Sequence, residues 1–436
     1  VFVGQIAVML FSTVDTLMLG RVGPQDLAAL AVGSAAYITI FVGFMGVVLA
    51  VGPLAGRSFG AKNFERAGEQ LVQAQWLALL LSLPGALLLL FPEPFVMLAQ
   101  LNPAQAAKVR AYTQPLALAL PAVLLFTAFR GFTQAVSRPK AVMGLQVAGL
   151  ALKVPLNAAL VFGWGPIPAM GVAGCAWATA VVMVGQAFAA QWLIRHDDFY
   201  KAFKVARLWD TRPLRADQAA LLRLGLPMGG SILVEVTGFT FMAFFIARLG
   251  ETPVAGHQIA VNLVSMMFMM AYAQATAAGT LVAQHLGAHQ HAEARAVGRH
   301  ALLLCLLVAG TVGALVAMGR EPIVNLYTSN AAAANAALPL LVSLWFFHVA
   351  DALQTVAAFV LRAYHVAVLP MVIYVVALWG IGIGGGYHLA FGAKAAGALG
   401  FWWAATGGLV TAALLLISLQ LWVQAKAVER PQVSGS

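Results

Sequence analysis

"GSILVEVTGFTFMAFF", residues Gly230 to Phe245, sets one carboxylate, Glu235, inside an almost unbroken apolar run. In water such a residue is ordinary. In a bilayer core an acidic side chain costs roughly 2.5–3.5 kcal/mol on insertion scales. The solvent around this run therefore decides the fold, and the composition identifies that solvent. Apolar residues make up 61% of the chain and charged residues 9%, against about 25% charged in a typical soluble domain. The mean hydropathy is +0.87. The apolar material falls into twelve runs, approximately 1–20, 27–51, 70–91, 114–135, 141–162, 171–194, 219–248, 254–280, 297–318, 337–361, 367–390 and 398–422. Runs of about 20 residues cross the roughly 30 Å hydrocarbon core as helix. The expected class is an all-α polytopic membrane protein. A soluble globular fold is excluded, because a chain this apolar has no surface to offer water.

The net charge of +10 is a topology signal. With the N-terminus placed inside, eighteen Lys and Arg fall in inner segments and six (Arg21, Lys108, Arg110, Arg248, Arg320 and Lys394) in outer ones. Lys153 is left within a run. This asymmetry follows the positive-inside rule with both termini cytoplasmic; the expected location is a bacterial inner membrane. Nucleic-acid binding is not expected, since no basic patch carries stacking aromatics. Cys175 and Cys305 are isolated within runs six and nine and make neither a disulfide framework nor a metal motif. The chain opens at Val1 inside an apolar run, so a short preceding piece is expected and a signal peptide is not. Residues 423–436 read as a tail.

The chain repeats itself. "GPLAGRSFGAKNFERAGE" from Gly52 matches "GTLVAQHLGAHQHAEARAVG" from Gly279, with Gly23 falling on Gly250 by the same offset. "FRGFTQAVSRP" corresponds loosely to "LRAYHVAVLP". The expected architecture is two six-helix bundles, 1–194 and 219–422, related by pseudo-two-fold symmetry and joined by a basic cytoplasmic linker, 195–218. Repeated bundles of this kind place binding sites within or between the halves and rock to alternate access.

Glu235 lies 13 residues before Arg248 at the outer end of run seven, and Asp351 a similar number after the outer start of run ten. Both are thus roughly 20 Å deep at 1.5 Å per residue. Adjacent anions in a low dielectric repel, so the two are expected to hold a proton or a cation between them. The alternative is a pair of neutral carboxyls serving packing alone.

"STVDTLMLGRVG", "LAALAVGSA", "GPLAGRSFGAK", "LVAQHLGA" and "GVAGCAWATA" resemble the multidrug and toxic compound extrusion (MATE) family over essentially the whole chain. Glu235 and Asp351 make it similar to the NorM-type branch. The resemblance implies export of organic cations and drugs, driven by inward Na⁺ or H⁺, with no cofactor, no metal beyond Na⁺, lipid as the surrounding partner, and a monomer. It also implies a second polar site in the first half, from an aspartate in helix one with Asn and Thr oxygens, which Asp15, Asn157 and Thr179 match. Oxygen ligands suit hard cations, although Asn and Thr also serve as glue between helices. Two departures matter. Lys153 shares the helix face of Asn157, four residues on, where the family more often has Asn. An ammonium at that depth snorkels, loses its proton or pairs with an acid, and Asp15 is the expected partner. Phe347 stands where the family often has Tyr, which removes one oxygen ligand for Na⁺ and favours H⁺.

"SMMFMM" supplies Met266 and Met269 which, with Phe347, are candidates for a pliable substrate cavity; a lipid-facing or core stripe is the plainer reading. His285, His289, His291 and His300 read as a cytoplasmic loop rather than a metal site. "WGIGIGGGYH" lies in a membrane run, so close packing or a local helix break explains its glycines better than phosphate binding does. An intramembrane enzyme is disfavoured by the lack of a nucleophile–base or metal motif. A lipid-linked precursor flippase calls for a more basic cavity than Lys153 alone provides.

Overall fold

The computed structural model describes residues 1–98, 101–166, 168–392 and 396–429. Lys394, Arg430 and the tail from 430 onward lie outside the described residues. In chain order the helices are α1 (Phe2–Leu19), α2 (Pro24–Val48) continued by α3 (Val51–Gly60), α4 (Phe64–Leu90), a short α5 (Glu93–Leu98), α6 (Pro103–Ala135), α7 (Pro139–Phe162), α8 (Val172–His196) and one-turn α9 (Asp198–Lys201). They continue as α10 (Arg215–Ala247), α11 (Glu251–Gly287), α12 (His291–Met318), α13 (Arg320–Tyr327), α14 (Ala331–Ala363), α15 (Val368–Tyr374), α16 (Gly386–Phe391) and α17 (Gly397–Glu429). Twelve spans among the described residues are long and apolar enough to cross a membrane. Helices answer the bilayer's demand that every backbone polar group be bonded internally.

The helix starts are written locally. Asn63 accepts from the Arg66 amide at the start of α4. Asn102 and Gln105 form a reciprocal capping box on α6. Asn330 accepts from the amides of Ala332 and Ala333 on α14. The sequence repeat is also a backbone repeat. Gly23 and Gly250 precede α2 and α11 at φ +156° and +110°, with open space around a would-be Cβ. The backbone, and not crowding, selects glycine there. Lys62 and His289 occupy matching left-handed turns at φ 58° and 59°. His289 is thereby a turn residue. His285 Nδ1 bonds Gln290 Oε1 at 2.7 Å, and no group of three metal-ligating side chains forms among the described residues.

Contacts divide the chain into two compact units, one from Val3 to Gly229 and the other from Gly230 onward. In the first, α6 packs against α2, α4 and α8, and α7 lies on α8. In the second, α14 packs against α11, α12 and α17. Its core gathers Leu340, Leu344, Phe347, Phe401 and Trp402. Small residues let backbones approach, as at Gly256, where a Cβ would lie 2.8 Å from the Ala336 carbonyl carbon. The Gly-rich stretch from Trp379 falls in a segment, Val375–Gly385, wound as π-helix. There α17 comes so close that a Cβ on Gly408 would meet the Ala377 carbonyl oxygen at 2.5 Å. Close packing and a helix irregularity thus coincide.

The segment between α8 and α10 is packed, not loose. Asp197 caps α9 through the Phe199 amide. Tyr200 and Phe203 are buried among Phe59, Phe64, Phe129 and Phe132, and the Tyr200 and Thr133 hydroxyls bond at 3.1 Å. Gln73 donates to the Arg212 carbonyl and accepts from the Leu214 amide. Trp76 Nε1 donates to Thr211, and Arg66 pairs with Asp217. The first turns of α10 belong to the same unit: a Cβ on Gly225 would meet the Val47 carbonyl oxygen at 2.5 Å. The unit boundary therefore falls inside α10, eleven residues after the sequence-based start of the second bundle at 219.

Gly68 is the tightest point of this strap, since a Cβ there would sit 2.1 Å from the Phe203 carbonyl oxygen. Gly68→Leu is expected to lift the segment and cost about 1–3 kcal/mol of overpacking. Trypsin should then cut faster at the exposed Lys201 and Lys204. Unchanged cleavage would show that the strap is not held at this point.

Candidate functional site

Among the described residues, the apolar helices of each unit carry a cluster of buried ionisable and polar side chains. In the first unit, Asp15 on α1 faces Lys153 and Asn157 on α7 and Thr179 on α8. Lys153 is 1% exposed and Asp15 5%. Lys153 Nζ donates to Asp15 Oδ2 at 2.8 Å and to Thr179 Oγ1 at 2.7 Å. Asn157 Nδ2 donates to Asp15 Oδ1 at 3.0 Å. The Thr179 hydroxyl donates to the Cys175 carbonyl at 2.9 Å, which leaves its lone pairs turned to the lysine. The ammonium also lies 4.9 Å from the Phe11 ring centroid. The four residues named from the sequence form one cluster, and the Asp15–Lys153 partnership inferred from depth is present. An ion pair this deep offsets its desolvation only when its remaining hydrogen bonds are made, and here both carboxylate oxygens are bonded.

In the second unit, Asp351 on α14 is 2% exposed and Glu235 on α10 is half-buried. Glu235 feels the charges of Asp351 and Arg362, and the Gln354 amide approaches its carboxyl. Gln354 Nε2 donates to Asp351 Oδ1 at 3.0 Å, and the Tyr374 hydroxyl donates to Gln354 Oε1. Gln354 is thus clamped between a carboxylate and a phenol. Glu235 opens on a cavity of about 30 Å³, room for a water molecule. Phe239, Met242, Phe347, Leu378 and Ile383 are among its walls. Phe347 is fully buried, with its ring 5.8 Å from Phe239 and 5.2 Å from Trp402.

Other candidates separate. Met266 is 48% exposed and Met269 partly buried. Neither lines the cavity at Glu235, and the buried methionine of the stripe is Met267. Three residues of the second cluster were not singled out from the sequence. Gln354 carried a signal: a polar residue three after Asp351 in an apolar run shares its helix face. Tyr374 carried none. Arg362, one of the eighteen inner Lys and Arg, lies buried in the last turn of α14, its guanidinium 4.4 Å from the Phe359 ring.

A family model described as MatE matches residues 1–159 and 227–388. The chain is 39% identical to "Probable multidrug resistance protein NorM" of Aromatoleum aromaticum, over 99% of this chain and 93% of that protein. It is 33% identical to "Multidrug resistance protein PmpM" of Pseudomonas aeruginosa, over 95% and 88%. Among solved structures, the eukaryotic MATE transporter AtDTX14 superposes with a TM-score of 0.87 at 21% identity, covering 98% of this chain and 96% of that one. The Vibrio cholerae MATE transporter VcmN in the bent form gives 0.86 at 17% identity, covering 98% and 95%. These two express likeness of fold. With the family model spanning most of the chain and near-full-length relatives above 30% identity, this chain belongs to the MatE family, the multidrug and toxic compound extrusion transporters.

Proposed function

We propose that this protein exports organic cations and drugs by alternating access, coupled to inward movement of H⁺ in preference to Na⁺. On this reading it lies in a bacterial inner membrane with both termini cytoplasmic. The observation that carries the reading is Glu235, an intramembrane carboxylate close enough to Asp351 for their charges to interact and lining a water-sized space walled by aromatic and aliphatic side chains. A carboxylate attracts a cation, and in a state of the transport cycle that widens this space the rings of Phe239 and Phe347 would add cation–π attraction. The same carboxyl cannot hold a proton and neutralise an organic cation at once. Proton binding and drug binding therefore oppose each other, by the same factor in each direction, which is the thermodynamic core of antiport. The relatives named for multidrug resistance support the substrate class. A flippase for anionic lipid-linked precursors is less well supported, because Glu235 is the one charged residue among the cavity walls.

The preference for H⁺ rests on side-chain chemistry. Phe347 offers no oxygen four residues before Asp351, and one of the Asp351 oxygens, Oδ1, already accepts from Gln354. A proton needs one lone pair, whereas Na⁺ needs several oxygens. Purified protein in liposomes, given a pH gradient or a Na⁺ gradient separately, is expected to move a fluorescent organic cation in response to the pH gradient. The Na⁺ gradient alone should add little. Transport that requires Na⁺ and ignores the pH gradient would refute the coupling assignment.

A further inference from the structure

In the polar cluster of the first unit the Lys153 ammonium sits against the oxygens of Asp15 and Thr179. We infer that the Lys153 ammonium is a built-in counter-cation: it occupies the position a monovalent ion would take between Asp15, Asn157 and Thr179, so this site exchanges no ion while Lys153 is present. The donor count carries the argument. An ammonium has three N–H groups. One goes to Asp15 Oδ2 at 2.8 Å, one to Thr179 Oγ1 at 2.7 Å, and the Phe11 ring lies 4.9 Å away on a further side. One positive charge meets one negative charge, and the site is closed, with Asn157 fully buried and Lys153 1% exposed. A second cation would find Asp15 already neutralised and would be repelled at close range.

The oxygens left if the lysine is removed are those of an ion site. Asp15 Oδ2 and Thr179 Oγ1 face the ammonium, and Asn157, bonded to Asp15 Oδ1 through its Nδ2, carries a buried Oδ1 without a hydrogen-bond partner. The set is hard, carries one negative charge, and suits Na⁺ or Li⁺ better than a divalent ion, which would remain under-neutralised. A single residue thereby decides whether the first unit binds an exchangeable ion. The inference deepens the reading of H⁺ coupling, but it stands on the first unit alone and is tested by binding, not transport. A Na⁺-driven exporter whose first unit binds no ion would refute the coupling and leave this inference standing.

The test uses the full chain in detergent with Glu235→Gln and Asp351→Asn together, which remove both carboxylates of the second cluster. Saturable ²²Na⁺ binding and the thermal midpoint in NaCl against choline chloride at equal ionic strength are measured with and without Lys153. With Lys153 present, no saturable binding and equal midpoints are expected. Lys153→Ala should gain saturable binding of about one Na⁺ per chain and a midpoint that rises with Na⁺, and adding Asp15→Asn should abolish both. Lys153→Asn, which supplies an amide oxygen, is the second variant should the alanine form fail to fold. Recovery of either variant in Na⁺ but not in choline supports the inference. Saturable ²²Na⁺ binding by protein that retains Lys153 overturns it, as does a folded Lys153→Ala or Lys153→Asn protein that binds none.

Discussion

Glu235→Gln and Asp351→Asn are each expected to abolish proton-driven efflux, reducing it to the level of vesicles without protein, while expression and folding stay close to wild type. Both changes keep the side-chain shape and remove only the ability to carry charge. At Asp351 the asparagine retains an oxygen to accept the Gln354 amide, so the Asp351–Gln354–Tyr374 chain of hydrogen bonds survives. Replacing a buried ionisable group by a neutral one of the same volume relieves desolvation and tends to be neutral or stabilising. A loss of function therefore cannot come from unfolding. At Glu235 the amide cannot exchange a proton for a cation, so the linkage between drug and proton disappears. Binding of an organic cation to Glu235→Gln should lose its dependence on pH, which separates a coupling role from a packing one. Efflux at the wild-type rate from either variant under a full proton gradient would remove both carboxylates from the mechanism.

The two polar clusters were legible to different extents, for a physical reason. In an apolar chain each charged residue stands out, and helix rise converts sequence distance to depth. Asp15 and Lys153, and likewise Glu235 and Asp351, could be paired on that basis. Which apolar residues face inward could not be read in the same way. Lipid is as apolar as a protein core, so membrane helices lack the polar face that orients a helix in water. The methionine stripe shows the consequence: Met266 is exposed and Met267 buried, although the two are adjacent and chemically identical. The strap between α8 and α10 escaped for a different reason. Its charges, Lys201, Lys204 and Arg207, mark a polar segment, while its anchors, Tyr200 and Phe203, are two aromatics whose partners lie far away in sequence. For Arg362 the charge pattern conveyed only its inner position; its burial against Phe359, within reach of the Glu235 charge, depends on packing that charge does not reveal.

The Asp15–Lys153 pair supplies the second large effect. Lys153→Ala strands a buried carboxylate, and Asp15→Asn strands a buried ammonium. Each is expected to cost about 3–5 kcal/mol, the range for breaking a buried ion pair from one side. Three observations place the pair in that regime: its side chains are 1% and 8% exposed, its N–O distance is 2.8 Å, and Asn157 and Thr179 orient the two groups. The pair also joins α1 to α7, so the single changes should loosen α1 and speed its proteolysis. Removing both charges leaves no uncompensated ion. The double variant should therefore cost clearly less than the sum of the two singles, with a coupling energy at the upper end of the roughly 0.5–3 kcal/mol seen for residues in contact. High choline chloride, whose cation is too large for the vacated site, should not weaken the coupling, because screening acts on exposed charges and not on buried ones. The measurement is a double-mutant cycle on unfolding in detergent, run without Na⁺ at low and high choline chloride. Strict additivity, or a coupling that vanishes with salt, would mean that the two groups are solvated separately and that Lys153 reaches toward the interface instead of Asp15.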